Sequence, residues 1–294
     1  VYSAYGAKIL SLQPSYARPV LAVGGTHFAV YNRAGNELAI CSRTRTLYSQ
    51  SFDAGILLCA MSNNNSLAVV TESGRYAAQV QVFDPSLHLL YSWEMTQSAG
   101  TPIALDFSPD SRRFAAGMLS AREGQLSCSV YFMSMDTDAE GPVYTADQGS
   151  MLLRLDWQSE RRVMAVFDTY LAVLDPTTGT ETARYDYGGA ALQSVAPGRR
   201  QTALLLTVRG GNNLVTLSET LTPMAEIPAR QAFGVSATDT DIYLLCPDAV
   251  ECYGYDGVQN WVYSDLASRP LAVVNAAKPL LLTGSRAEVL EGGS

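Results

Sequence analysis

Short runs of valine, isoleucine, leucine and tyrosine recur along the whole chain, and clusters of glycine, proline, asparagine, aspartate and serine separate them. Apolar runs of roughly four to eight residues bounded by turn formers are the pattern of β-strands, and no useful length of chain keeps the period of about 3.6 residues of an amphipathic helix. The chain is therefore expected to be all-β.

One kind of run, a strand that ends in a polar turn, aligns in seven copies. They are Leu21-Ala22-Val23-Gly24, Cys59-Ala60-Met61, Leu105-Asp106-Phe107, Leu155-Asp156-Trp157, Val195-Ala196-Pro197, Val235-Ser236-Ala237 and Val273-Val274-Asn275. Their middle positions, from Gly24 to Val274, are 36, 46, 50, 40, 40 and 38 residues apart. Such a period matches the roughly 40 to 50 residues of a four-stranded propeller blade. A second run keeps the same phase: Leu47-Tyr48-Ser49, Leu90-Tyr91-Ser92, Val143-Tyr144-Thr145 and Val262-Tyr263-Ser264 fall where an outermost strand belongs. Turns rhyme as well. Pro85 and Pro176 each follow an aspartate at a corner, and Gly257 supplies the same corner in Tyr255-Asp256-Gly257.

These spacings predict a seven-bladed β-propeller occupying residues 1–294 as one domain. The blades fall at approximately 15–53, 54–98, 99–148, 149–189, 190–230, 231–265, and 266–294 completed by 1–14. The partial repeats at the two ends together make 44 residues, one blade. An N-terminal strand around Ile9 to Gln13, paired beside Glu288 to Leu290, would close that last blade and remove an open sheet edge.

Alternation along the aligned strands places one row of side chains together: Ala22 and Gly24, Leu58 and Ala60, Ala104 and Asp106, Arg154 and Asp156, Ser194 and Ala196, Gly234 and Ser236, Ala272 and Val274. The flanking residues, such as Leu105, Phe107, Leu155 and Trp157, are expected to face neighbouring sheets, and the row to face a central channel. Asp106, Arg154 and Asp156 break a row of otherwise small or apolar residues. Two readings stand: an ion pair that holds the inner strands together, or a polar ligand or cation site at the channel mouth, with Ser236 as a further oxygen donor.

Composition narrows the chemistry. The formal charge is −8, lysines number two against eighteen arginines, and no basic cluster exceeds a pair, so nucleic acid is not an expected partner. No run reaches the roughly 20 apolar residues of a membrane span. The five cysteines, Cys41, Cys59, Cys128, Cys246 and Cys252, have no CxxC spacing and no histidines at ligand distance, which argues against zinc. Cys246 and Cys252 flank a Pro-Asp turn, and whether they join is left to geometry. His27 and His88 are the only histidines, and no Gly-x-Ser-x-Gly elbow is present, so no nucleophilic catalytic set is visible. The glycine pairs at 24–25, 188–189 and 210–211 lack the following helix of a phosphate loop. No cofactor is implied.

The segments Tyr31-Asn32-Arg33-Ala34-Gly35-Asn36-Glu37, Val69-Val70-Thr71-Glu72 and Phe107-Ser108-Pro109-Asp110, with the Leu-Tyr-Ser strands, resemble a bacterial family of propellers of unknown function, domain of unknown function 5711. The resemblance covers nearly the whole chain. It implies an extracytoplasmic domain held by an N-terminal membrane helix, and an anchor preceding Val1 is expected on that ground alone. It brings no catalytic residues. Resemblance to WD40 repeats is architectural only, since no Trp-Asp dipeptide occurs. Trp93, Trp157 and Trp261 sit at unlike positions, unlike the repeated tryptophans of quinone-dependent propellers.

The expected function is a monomeric, non-enzymatic binding or scaffolding propeller outside the bacterial cell, with a protein or cell-surface polymer as partner. The rival class is an axial-site enzyme, such as a metal-dependent lactonase or another hydrolase.

Overall fold

Leu67-Ala68-Val69-Val70-Thr71 is apolar at every position but the last, and all five residues are buried. A strand reads this way when both of its faces are covered. The same continuous burial recurs in the second strands that start at Arg162, Thr202 and Asp241. Outermost strands alternate instead: along Leu89–Met95 only Tyr91 and Met95 are fully buried.

The computed structural model describes residues 1–290 except 123, 138, 140, 265, 276 and 277. Residues 291–294, the tail of the last expected repeat, lie outside the described residues. Every regular element described is a strand, and the strands form antiparallel sheets that meander in chain order. The first sheet comprises β1 (Pro19–Val23), β2 (His27–Asn32), β3 (Glu37–Ser42) and β4 (Thr46–Ser51). The second has β5 (Ile56–Met61), β6 (Leu67–Thr71), β7 (Ala78–Phe83) and β8 (Leu89–Met95). The third has β9 (Thr101–Phe107), β10 (Arg113–Arg122), β11 (Gln125–Ser134) and β12 (Val143–Thr145). The fourth has β13 (Leu152–Ser159), β14 (Arg162–Phe167), β15 (Tyr170–Asp175) and β16 (Thr180–Asp186). The fifth has β17 (Ala191–Ala196), β18 (Thr202–Val208), β19 (Gly211–Leu217) and β20 (Pro223–Pro228). The sixth has β21 (Gly234–Ala237), β22 (Asp241–Leu245), β23 (Val250–Gly254) and β24 (Gln259–Tyr263). The last is three-stranded: β25 (Pro270–Val274), β26 (Leu280–Thr283) and β27 (Ala287–Val289). Each of the seven aligned runs falls on the first strand of a sheet.

The chain divides into two compact units. In the unit formed by residues 12–168 and 173–182, consecutive sheets pack face to face. Ala22, Ala29 and Tyr31 of the first sheet share a core with Met61, Leu67 and Val69 of the second. Val70, Val80 and Tyr91 meet Phe107, Phe114 and Met118 of the third. The repeated tyrosines take part: Tyr91 stands edge-on to Phe114 at 5.8 Å, and Tyr144 lies 6.2 Å from Phe167. In the unit formed by residues 1–11, 169–172 and 183–294, Leu205 and Leu214 pack with Ile242 and Leu244, while Tyr243 and Cys252 pack with Val273 and Leu281. Each valine, leucine, isoleucine, methionine or phenylalanine among them, once removed from water, contributes roughly 1.5 to 3 kcal/mol.

Cys246 and Cys252 belong to different cores on opposite faces of the sixth sheet. Cys252 lies across from Tyr243, and the Cys246 amide bonds to Ala249. The two thiols therefore cannot meet, and all five cysteines are free. Burial pushes the Cys246 and Cys252 thiols up to about 11.

The N-terminal segment departs from expectation. Residues 9–16 are irregular, not a strand, and no ladder joins them to β27. Ile9 and Leu12 are exposed, so no apolar face is gained by extending the segment, and Pro14 has no amide for a ladder. The approach to the last sheet comes earlier in the chain. Tyr2 bridges to Lys8, the Tyr2 hydroxyl donates to the Ser285 carbonyl at 3.0 Å, and Gly6, with φ +81°, leaves only 2.6 Å between an ideal Cβ and the Ala287 carbonyl oxygen.

Four tight turns share one device. Asn65, Leu87, Ser111 and Leu221 adopt left-handed backbone, with φ of 68°, 65°, 61° and 57°, and their amides bond the carbonyls of Ser62, Asp84, Ser108 and Ser218. Ala34, with φ 62°, turns the first sheet in the same region of backbone space and is exposed. An L-residue there carries a steric cost of roughly 1 to 2 kcal/mol that glycine lacks. Ala34→Gly is accordingly expected to stabilise the protein by about 1 kcal/mol in urea denaturation, with an unchanged slope; a loss of stability would contradict the turn geometry.

Candidate functional site

Asp106 lies near the end of β9, paired with Ala115 of β10, between half-buried Leu105 and buried Phe107. Its carboxylate is turned to β13. One oxygen accepts the Trp157 amide at 2.7 Å, and the other accepts the Phe107 amide at 3.0 Å. The first strand of a sheet presents amides that no ladder satisfies, and a short acceptor on the adjoining first strand can reach them. The same bond recurs in the other unit: Ser194 accepts the Val235 amide at 3.2 Å, and Ser236 accepts the Val273 amide at 3.1 Å.

The alternation therefore sorts side chains differently from the expected division between sheets and channel. A sheet stacked between two others has a sheet on each face, so alternation divides the preceding neighbour from the following one. Ala22 packs on Met61, and Ala60 on Phe107 and Phe114, each toward the following sheet. Asp106 obeys the same rule. The alignment of β1 also moves by two residues, because Gly24 opens its turn as Ser62 and Ser108 open theirs, making Ala22 the counterpart of Asp106.

Desolvation pushes the Asp106 carboxyl up to about 6; the amides of Trp157 and Phe107 and the Arg154 charge oppose the rise, while Asp156 adds to it. Asp156 is half-buried, pairs with Met164 on β14 and accepts the Gln158 side-chain amide at 3.3 Å. Gln158 in turn accepts Arg162 Nε at 2.7 Å. Arg154 follows a bulge in β13, is exposed and, among the described residues, makes no direct ion pair with either aspartate. Asp106, Arg154 and Asp156 thus share one electrostatic neighbourhood, whereas Ser236 lies on β21 in the other unit. The junction between the third and fourth sheets is strengthened by Arg113, whose guanidinium sits 5.3 Å from the Trp157 ring centre and pairs with Glu160.

Other candidate chemistry is dispersed. His88 is exposed and bonds Asp84 at 3.1 Å, while His27 begins β2. Among the described residues no three His, Cys, Asp or Glu side chains gather to hold a metal ion, and no helix is long and apolar enough to cross a membrane. Reading the sequence placed Ser194 among merely small residues and missed its bond; the signal was a hydroxyl near the end of a first strand, as Asp106 is a carboxylate near the end of β9.

Four-stranded antiparallel sheets packed face to face in chain order define a β-propeller-like protein. Solved structures agree. The chain is similar to the Pan2 WD40 domain of Neurospora crassa (10% identity, TM-score 0.62, covering 92% of this chain and 86% of that one). It is similar to BamB from Moraxella catarrhalis (12% identity, TM-score 0.59, 92% and 86%) and to the computationally designed Ika8 protein (11% identity, TM-score 0.63, 96% and 99%). At such identities the likeness is one of fold. None of the curated proteins matches the sequence. Residues 1–215 match a family of unknown function, DUF5711, and the chain belongs to that family.

Because the Asp106 carboxyl is raised on folding, the unfolded chain releases this proton at lower pH than the native one. Stability associated with Asp106 is highest below about pH 4, falls as pH rises toward 6 and is flat above it. Asp106→Asn removes this dependence. The stability of the variant relative to wild type is expected to rise between pH 4 and 7 by on the order of 2 kcal/mol, read from urea denaturation at each pH; a difference that stays constant or falls would refute the assignment.

Proposed function

We propose that the protein is a non-enzymatic binding or scaffolding module, a seven-bladed β-propeller displayed on the extracytoplasmic face of a bacterial membrane through a segment outside this sequence. The observation that carries the reading is the use made of the polar residues on the first strands. Asp106, Ser194 and Ser236 are bound to main-chain amides of the adjoining sheet, as the parts of a rigid frame would be. A frame of this kind leaves rims and loops to recognise a protein or a cell-surface polymer.

Closure of the seven sheets into a ring belongs to the same proposal. The contact of Tyr2 with Ser285 supports a latch of the N-terminal segment on the last sheet. Location outside the membrane rests on the family resemblance.

Two experiments test these claims. In the host, the full-length protein carrying Asp106→Asn and Asp156→Asn together is expected to restore whatever deletion of the gene disturbs; failure of the folded double variant to do so would make the carboxylates functional and favour the enzyme class. A cysteine placed at exposed Thr44 of the full-length protein is expected to react with a membrane-impermeant maleimide in intact spheroplasts. Labelling seen only after lysis would overturn the location.

A further inference from the structure

The repeat is broken most at the third sheet. Its middle strands β10 and β11 each run ten residues, where the corresponding strands of the other four-stranded sheets run five to seven. In a repeat fold, extra residues in one unit build a local feature that the frame does not need. Here the far half of β10 forms one wall of a cleft of about 390 Å³. The connection between β6 and β7 and the connection between β8 and β9 form the others. That volume lies within the usual range of small-molecule sites, about 300 to 1,000 Å³.

The cleft has a built floor. Gly100 has φ +96°, and an ideal Cβ would stand 2.4 Å from the Leu119 carbonyl oxygen, so only glycine lets the two segments approach this closely. One wall is set by Ser73, whose hydroxyl accepts the amides of Arg75 and Tyr76 at 3.3 and 3.1 Å and fixes the loop that presents the Tyr76 ring. Gln97, Ser98, Thr101 and Ser120 also line the space. Among the described residues, Gln97 and Thr101 bond to no other group through their side chains, and both are exposed.

The chemistry of this lining selects a ligand class. Apart from the tyrosine phenol, no lining residue is ionisable, and the two charges that border Tyr76, the Arg75 guanidinium and the Glu94 carboxylate, are of opposite sign, so the cleft offers a charged ligand no net counter-charge. Apolar side chains are few, so an apolar ligand would find no wall to bury against. Hydroxyls and a carboxamide each donate and accept, which matches the alternating donors and acceptors of a polyol. The Tyr76 ring, with the Arg75 guanidinium over one side 5.4 Å from its centre, supplies on the other a flat surface for the C–H face of a sugar.

We propose that this cleft binds one ring of a neutral saccharide. The proposal rests on the binding role above and names its site and ligand. Saturation-transfer NMR on the folded protein tests it, with glucose, galactose, mannose and N-acetylglucosamine as probes at about 10 mM, a concentration suited to millimolar affinity. Transfer to the ring protons of at least one sugar is expected. Gln97→Ala, which removes an exposed loop amide and should keep the wild-type melting temperature, is expected to weaken it about tenfold, and Ser120→Trp, which fills the cleft, to abolish it. Absence of transfer to all four sugars overturns the proposal, as does transfer that survives both substitutions. Transfer to the neutral tripeptide Gly-Ser-Gly that Ser120→Trp abolishes, with none to the sugars, assigns the cleft to peptide and overturns it too. A scaffold for a protein partner would fail here yet pass complementation in the host, so the two readings fail separately.

Discussion

The rest of the structure depends on one constraint: second strands such as β6, β14, β18 and β22 are covered on both faces, so they are apolar along most of their length. Leu67–Thr71 and Arg162–Phe167 show it most plainly, with all or nearly all of their residues buried. Backbone polarity in such strands is satisfied by the ladders on either side, which leaves the side chains free to be entirely hydrophobic. Polar residues are thereby driven to the outer strands, to the turns and to the exposed edge of each first strand.

That first-strand edge is where the polar side chains acquire work. An amide there has no ladder partner, and a serine or aspartate on the neighbouring first strand supplies one at little cost in space. Serine does so without charge. Asp106 does so with a carboxylate in a desolvated position near Asp156, and that burial raises its pKa. The bond at 2.7 Å to Trp157 partly offsets it, as does the field of Arg154.

Turns and insertions follow a different logic, because they are not bound by two-sided burial. Four turns reuse the same left-handed closing residue although only glycine or asparagine would adopt it easily, and Leu87 and Leu221 occupy it anyway. Leu221 is buried, and its packing offsets the backbone cost. The far end of the lengthened β10–β11 hairpin, with Leu119 and Ser120, raises a wall beside two loops, and the resulting cleft is polar because it is open to water.

What the sequence determined by itself was whatever is periodic: the all-β character, the recurring polar-ended strand at the start of each sheet and the Leu-Tyr-Ser strand at its outer edge. Strand alternation and turn chemistry are local, so they can be read residue by residue. The direction in which a row of side chains looks is not local. Alternation could say that Asp106, Arg154 and Asp156 share a parity, but only the stacking of sheets decided that this parity faces a neighbouring sheet and its amides. The N-terminal segment shows the same limit, since arithmetic supplied enough residues for a strand while exposed Ile9 and Leu12 and the proline after them left nothing for one to gain. The separation of Cys246 from Cys252 and the meeting of two loops with the far end of β10 were likewise decided by tertiary structure. Contacts between residues far apart in the chain depend on how whole sheets pack, and no local pattern encodes that.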